Sequence, residues 1–254
     1  MKKRGLSLFC AFLAGAMLTM GNGATITMAA ENTAETPAVT EETPEASTVP
    51  ESSEWEIQSN NIAGWPEGPK VSAETAIVMD IDTGEILYAK GIDEKRAPAS
   101  TTKIMTAMLA TEKVPFDTQI TFTDEVNNIE AGSTHIGIKP GETLTMKDCA
   151  YAILLASANE VSSGVAEYIG TTVPAFVDMM NQRAKELGCT NTNFVNANGL
   201  YDENHYTTAR DWQSLQEPLS KTKTFREIVK TPYLHRSQNK SLQMKNDGLI
   251  IIIK

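Results

Sequence analysis

The sequence predicts an α+β domain, with helices packed on an antiparallel sheet, and three observations carry that prediction. Two short apolar runs near the front, Ala76-Ile-Val-Met-Asp80 and Glu85-Ile-Leu-Tyr-Ala89, are joined by Asp82-Thr83-Gly84 and read as a β-hairpin. A series of capped, apolar segments then runs from Ser100 to beyond Thr207, a block of helices following strands. About 190 residues remain once an N-terminal leader and spacer are set aside, enough for one sizeable core.

The leader is residues 1–30. Lys2, Lys3 and Arg4 precede an apolar run from Leu6 to Leu18, and small residues close the segment at Met28-Ala29-Ala30. This is the pattern of a secretory signal peptide, with an apolar run too short to span a bilayer comfortably, so export is expected. Cys10 lies inside that run behind bulky Phe9 and reads as part of it. Residues 31–60 then turn to Glu, Thr, Ala, Pro and Ser, with eight glutamates, no Lys or Arg, and Trp55 as the sole aromatic. Such a segment buries too little apolar surface to offset chain entropy and is expected to be a disordered spacer. The net charge of −10 becomes −13 without the leader and −5 without the spacer as well. The acidity is therefore mostly tether, and residues 61–254 carry no basic surface suited to nucleic acid.

Along the folded part, Pro98 and Ser100 are helix-entry residues before the apolar stretch Ile104–Ala110, so a buried helix is expected to begin near Ser100. Gln119–Thr123 suits a short strand, and Ile129–Glu142 is a Gly- and Ser-containing surface loop. Thr145 with Asp148 marks a helix entry, and that helix should run to about Ala156. It breaks at Ser157-Ala158-Asn159, a second helix continues to Ile169, a third spans Pro174 to Leu187, and a fourth starts near Thr207-Thr208. Cys149 and Cys189 survive removal of the leader; whether they pair is open, and two cysteines make no disulfide framework. Their spacing with the three histidines matches no zinc pattern, so no metal or other cofactor is expected.

The chemistry-bearing pattern is Ser100-Thr-Thr-Lys103. On a helix, residues three apart share a face. A hydroxyl at the helix entry sits near unpaired N–H groups, and an amine held against apolar walls loses affinity for its proton. A neutral Lys103 can then take the proton of Ser100, giving a nucleophile for acyl transfer without a histidine. Ser-x-x-Lys recurs at Ser220/Lys223 and Ser237/Lys240, but only the first copy opens an apolar helix. The polar break at Ser157 and Asn159 would bring a hydroxyl and a carboxamide to a buried helix junction, where they can meet the pair. The bland alternative is that Asn159 caps the next helix. Ser-x-Asn also occurs at Ser59 and Ser237, so order and apolar context single out the Ser157 copy.

Ser-Thr-Thr-Lys followed by Ser-Ala-Asn is the motif order of the penicillin-recognising serine acyltransferases. More closely, the chain resembles the low-molecular-mass penicillin-binding proteins that are serine-type D-alanyl-D-alanine carboxypeptidases. The likeness extends over roughly residues 65–230, through Trp65-Pro-Glu-Gly-Pro, Lys95-Arg-Ala-Pro-Ala-Ser-Thr-Thr-Lys-Ile-Met-Thr, His135-Ile-Gly-Ile-Lys-Pro-Gly, Leu154-Leu-Ala-Ser-Ala-Asn-Glu, Asn193-Phe-Val-Asn and His205-Tyr-Thr-Thr-Ala-Arg-Asp. The resemblance implies a transpeptidase/β-lactamase-like α+β domain. In it Ser100 forms the acyl-enzyme, Lys103 is general base, Ser157 shuttles a proton and Asn159 binds substrate. The implied partners are a peptidoglycan stem peptide ending in D-Ala-D-Ala and β-lactams as covalent inhibitors, with any membrane attachment resting on segments not in this sequence. His135 and His205 are not needed as bases by a lysine mechanism.

The family also has a Lys-Thr-Gly or Lys-Ser-Gly strand edging the site. This sequence has Lys221-Thr-Lys and Lys230-Thr-Pro, and the family's copy would fall beyond residue 240, where Asp247-Gly-Leu and four isoleucines stand. The expectation is a catalytic domain over 61–254 that is incomplete at its C-terminus and impaired in activity. Pro218 in Trp212-Gln-Ser-Leu-Gln-Glu-Pro is expected to interrupt a helix. The alternative reading is a non-catalytic remnant or wall-binding protein of the same family. A β-lactamase ranks third, since Glu160 beside Asn159 makes no adequate case for a deacylating acid.

Overall fold

The structure, a computed structural model, describes residues 50–80, 83–220, 222–238 and 240–245. The leader, the spacer as far as residue 49 and the isoleucine run at 250–253 lie outside the described residues.

Strands β1 (Ala76–Met79) and β2 (Ile86–Lys90) form the expected antiparallel hairpin, pairing Ala76 with Lys90 and Val78 with Tyr88 before the register shifts at Met79. Lys90 ends β2 almost wholly buried, and its ammonium donates to the carbonyls of Ser52 (2.5 Å), Val71 (2.8 Å) and Ala73 (2.8 Å). A buried charge needs such partners. They come partly from the segment read as spacer: 3₁₀ turns at Glu51–Glu54 and Gln58–Asn61 bury Ser53, Ile57 and Ser59. Packed chain therefore begins ahead of residue 61. Composition marks the segment as polar, and its attachment is indeed polar: beside the Ser52 carbonyl, Ser59 Oγ accepts the Ala89 N–H, Gln58 Oε1 that of Ile92 and Asn60 Oδ1 that of Gly68.

The core is built around α1 (Lys103–Lys113), which contacts α2 (Met146–Leu155), α3 (Asn159–Gly170), α4 (Val173–Glu186) and α5 (Ala209–Ser220). Every residue of α1 from Lys103 to Ala110 is buried. The expected caps are present: Thr145 Oγ1 accepts the Asp148 N–H, Thr172 Oγ1 that of Ala175, and Thr208 Oγ1 that of Asp211. One boundary differs from expectation. Ser100 lies in a 3₁₀ turn, Ala99–Thr102, and the α-helix starts at Lys103. Residues i and i+3 eclipse in a 3₁₀ turn, so Ser100 and Lys103 still face the same way.

β3 (Gln119–Thr121) pairs antiparallel with β4 (Thr143–Thr145), and the loop read between them, 129–142, carries no helix or strand. β4 escapes a sequence reading because Thr145 also caps α2. α5 continues through Pro218, contrary to expectation. Proline fixes a helix-compatible φ, and only two residues follow it in the helix, so the ladder loses the single bond that an N–H at 218 would give to the Ser214 carbonyl. A further helix, α6 (Lys223–Lys230), packs on α2 and α5, and β5 (Tyr233–Gln238) with β6 (Lys240–Lys245) forms a hairpin whose second strand contacts α2. The fold is α+β as expected, its described strands lying in three two-stranded antiparallel ladders. Cys149 and Cys189 are separately buried thiols, not joined to each other. No described helix is long and apolar enough to cross a membrane.

Candidate active site

Ser100 is exposed at the surface end of its turn, and the backbone ahead of it is strained, with Ala99 at φ +48°. The strain is held from behind by the loop Asn196–Leu200. Gly199, at φ +87°, lies so close that a Cβ there would meet the Ala99 carbonyl oxygen at 1.9 Å and the Ser100 nitrogen at 3.0 Å. Asn196 braces this loop, its Oδ1 accepting the Gly199 N–H (2.7 Å) and its Nδ2 donating to the Leu200 carbonyl (2.9 Å). Thr106 of α1 donates to the Ala197 carbonyl at 2.6 Å, which ties the loop to the helix.

Lys103 stands below Ser100 and is 2% exposed. Its Nζ donates to Asn159 Oδ1 at 2.6 Å and to the Asn198 carbonyl at 2.5 Å, with Ser100 Oγ at 3.4 Å. Burial pulls its pKa down to about 8, against the opposing pull of the Glu160 charge. The geometry suits the neutral form. An amine has two N–H groups and one lone pair, the two short bonds use both N–H groups, and the lone pair is left for the Ser100 hydroxyl.

Asn159 is the first residue of α3, and its side chain reaches Lys103 rather than capping the helix; Ala158 is the cap residue. Ser157 occupies the α2–α3 junction at φ +52°, and its buried hydroxyl makes no hydrogen bond among the described residues. The structure thus joins Ser100, Lys103 and Asn159 through one amine nitrogen, with Ser157 two residues from Asn159 but outside that network. The other motif copies do not assemble. Lys223 is 88% exposed at the start of α6, Ser237 and Lys240 lie on different strands, and Ser59 Oγ accepts the Ala89 N–H.

The histidines are elsewhere engaged. His205 is buried, accepts the Val195 N–H at Nδ1 (3.1 Å) and faces Thr102 Oγ1 from Nε2 (2.7 Å). Burial pushes its pKa down to about 4, so it is a neutral packing group behind the Ser100 turn. His135 is exposed, with Nδ1 on the Ser133 carbonyl. Sequence reasoning missed Asn198 and Gly199, since Asn198 acts through its carbonyl and Gly199 through the lack of a side chain. Their signal was the Asn-Gly pair at 198–199, which marks a turn but not what the turn supports.

An exposed serine over a buried, hydrogen-bonded lysine, on helices packed with antiparallel strands, fits the serine–lysine class of acyl-transfer proteins. The chain belongs to the D-alanyl-D-alanine carboxypeptidase family, whose model matches residues 62–254. The D-alanyl-D-alanine carboxypeptidase DacF of Bacillus subtilis (strain 168) is 36% identical over 185 residues, 70% of this chain and 47% of that protein. A solved structure of the D-alanyl-D-alanine carboxypeptidase DacD from Francisella tularensis matches at 32% identity and TM-score 0.64, over 73% of this chain and 46% of that one. Penicillin binding protein 5 from Haemophilus influenzae matches at 26% identity and TM-score 0.65, over 71% and 54%. The chain spans about half the length of these relatives.

Proposed function

We propose that the protein is an exported serine-type D-alanyl-D-alanine carboxypeptidase, acting on peptidoglycan stem peptides and acylated by penicillin. The observation that carries this reading is the Lys103 amine, whose two N–H groups are taken by Asn159 and Asn198 while Ser100 Oγ lies 3.4 Å away. Lys103 takes the hydroxyl proton as Ser100 Oγ attacks the carbonyl carbon of the penultimate D-alanine. The C–N bond to the terminal D-alanine then breaks, and the leaving amine receives a proton. Ser157, with a buried hydroxyl unused by the protein, is placed by sequence to relay it. Water hydrolyses the resulting ester and restores Ser100. Asn159 serves twice, orienting the base and presenting its amide to the peptide. The family membership and the carboxypeptidase names of the relatives support the same substrate class.

The test is release of free D-alanine from a peptide ending in D-Ala-D-Ala. The full chain should release it, at a rate lowered by the impairment expected above, and Ser100→Ala should release none; equal release by both would refute the reading. Export rests on the pattern of residues 1–30 and places the mature N-terminus near Ala30 or Glu31.

A further inference from the structure

The acylation scheme makes no use of Glu160, yet this carboxylate is 1% exposed in the first turn of α3, beside Asn159. A buried carboxylate is costly unless something is gained by it. Its Oε1 accepts the N–H groups of Ile136 (2.7 Å) and Gly137 (2.9 Å), with that of Ile138 at 3.4 Å. Three consecutive amides converge on one oxygen because Gly137 sits at φ +80°, a conformation that turns neighbouring N–H groups to the same side. Its Oε2 is buried and makes no hydrogen bond among the described residues. The same loop is held one residue earlier in α3, where the Asn159 N–H donates to the Thr134 carbonyl at 3.0 Å. Asn159 and Glu160 thus tie the 134–138 segment to the residue that holds Lys103.

We propose that Glu160 is a positioning residue for acylation: it clamps the 134–138 segment against the start of α3, as the wall beside Asn159, and so sets the surroundings in which Lys103 gives up its proton. This rests on the reading of Ser100 and Lys103 as nucleophile and base. The Glu160 charge opposes burial, which alone would drive Lys103 further toward the neutral form. Without it the amine would be a weaker base. With it the base remains strong enough to take a hydroxyl proton and is still partly unprotonated near neutrality. The other ionisable groups nearby lie away from this contact. His135 and Lys139 on the clamped loop are exposed, and Glu125, ahead of that loop, couples to Glu167 further along α3.

Glu160→Gln and Glu160→Ala in the full chain separate the clamp from the charge, because glutamine keeps a carbonyl oxygen for the amides and alanine keeps neither. Two measurements by NMR need no turnover. Hydrogen exchange at the Ile136 and Gly137 amides should accelerate roughly tenfold or more in Glu160→Ala, the loss expected for hydrogen bonds to a charged group, and less in Glu160→Gln. The titration of Lys103, followed through its labelled Cε and assigned by its loss in Lys103→Ala, should move to lower pH in Glu160→Gln. A purely structural role would not move it. Where penicillin acylates the wild type, the acid limb of the rate should shift the same way. An unmoved Lys103 titration in Glu160→Gln, or unchanged protection of the two amides in Glu160→Ala, would overturn the proposal. A wild type that takes no penicillin would instead count against the acyl-enzyme reading, leaving the two NMR results to decide the role of Glu160. If Glu160→Ala does not fold, the glutamine variant decides alone.

Discussion

Lys103 and His205 are both buried bases with depressed pKa values, and their neighbours give them opposite uses. The lysine has two short bonds to carbonyl oxygens and a third partner at 3.4 Å, so its neutral form has a free lone pair directed at a hydroxyl. Acylation should therefore rise with pH and level off above about 8, the value at which Lys103 loses its proton. Lys103→Ala should slow acylation by about 10²- to 10⁴-fold and abolish that pH dependence, as read by stopped-flow labelling with a fluorescent penicillin. The histidine spends Nδ1 as acceptor and so must carry its proton on Nε2, bonded to Thr102. Its folded pKa of about 4 lies below the ordinary 6.5. The stability that this neutral ring contributes is complete above pH 6.5 and is lost as pH falls through 4, up to about 3 kcal/mol. Denaturant unfolding should show that acid loss in the wild type and a flatter acid limb in His205→Gln, at lower stability near neutrality. A wild type equally stable at pH 7 and pH 4 would contradict the assignment.

The element that governs the nucleophile is the Asn196–Leu200 loop rather than the helix the nucleophile precedes. Ala99 adopts a conformation that disfavours a side chain, and Gly199 presses on its carbonyl at a distance no Cβ could share. Gly199→Ala adds a methyl where the opposing atoms are backbone and cannot swing aside. It should cost about 3 kcal/mol of stability or displace the Ser100 turn, with acylation falling on the order of a hundredfold. A variant with wild-type melting and labelling would show that the loop is not a buttress. Helices were the legible part of the fold, because threonine caps and apolar periodicity are written in consecutive residues. Thr145, Pro174 and Thr207-Thr208 announced α2, α4 and α5. The Ser100, Lys103 and Asn159 association was also legible, since each acts through its side chain. What escaped was carried by backbone: the Asn198 carbonyl, the close approach of Gly199, the β4 strand hidden under a cap, and the 3₁₀ start of the Ser100 helix. The β5–β6 hairpin lay in polar sequence with no alternation strong enough to mark it.

Across the whole molecule, the front hairpin and the segment before it are joined by one buried ammonium. Lys90 satisfies carbonyls from Ser52, Val71 and Ala73, beside the Tyr88 hydroxyl that donates to the Pro69 carbonyl. Replacing it by methionine keeps the bulk and strands three acceptors. Lys90→Met should lose about 3 kcal/mol in urea unfolding and loosen residues 51–73 to proteolysis before the rest of the domain unfolds. Unchanged stability would mean that those carbonyls find other donors at no cost. Apart from that hairpin, the helical core and the Asn196–Leu200 loop converge on the Ser100 turn, and mapping the covalent adduct of a β-lactam is the most direct test of that convergence. After reaction with penicillin and proteolysis, mass spectrometry should place the added mass on the peptide carrying Ser100, with none on Ser220 or Ser237 and none anywhere in Ser100→Ala. An adduct on another serine, or one that survives the Ser100→Ala substitution, would contradict the assignment of the nucleophile.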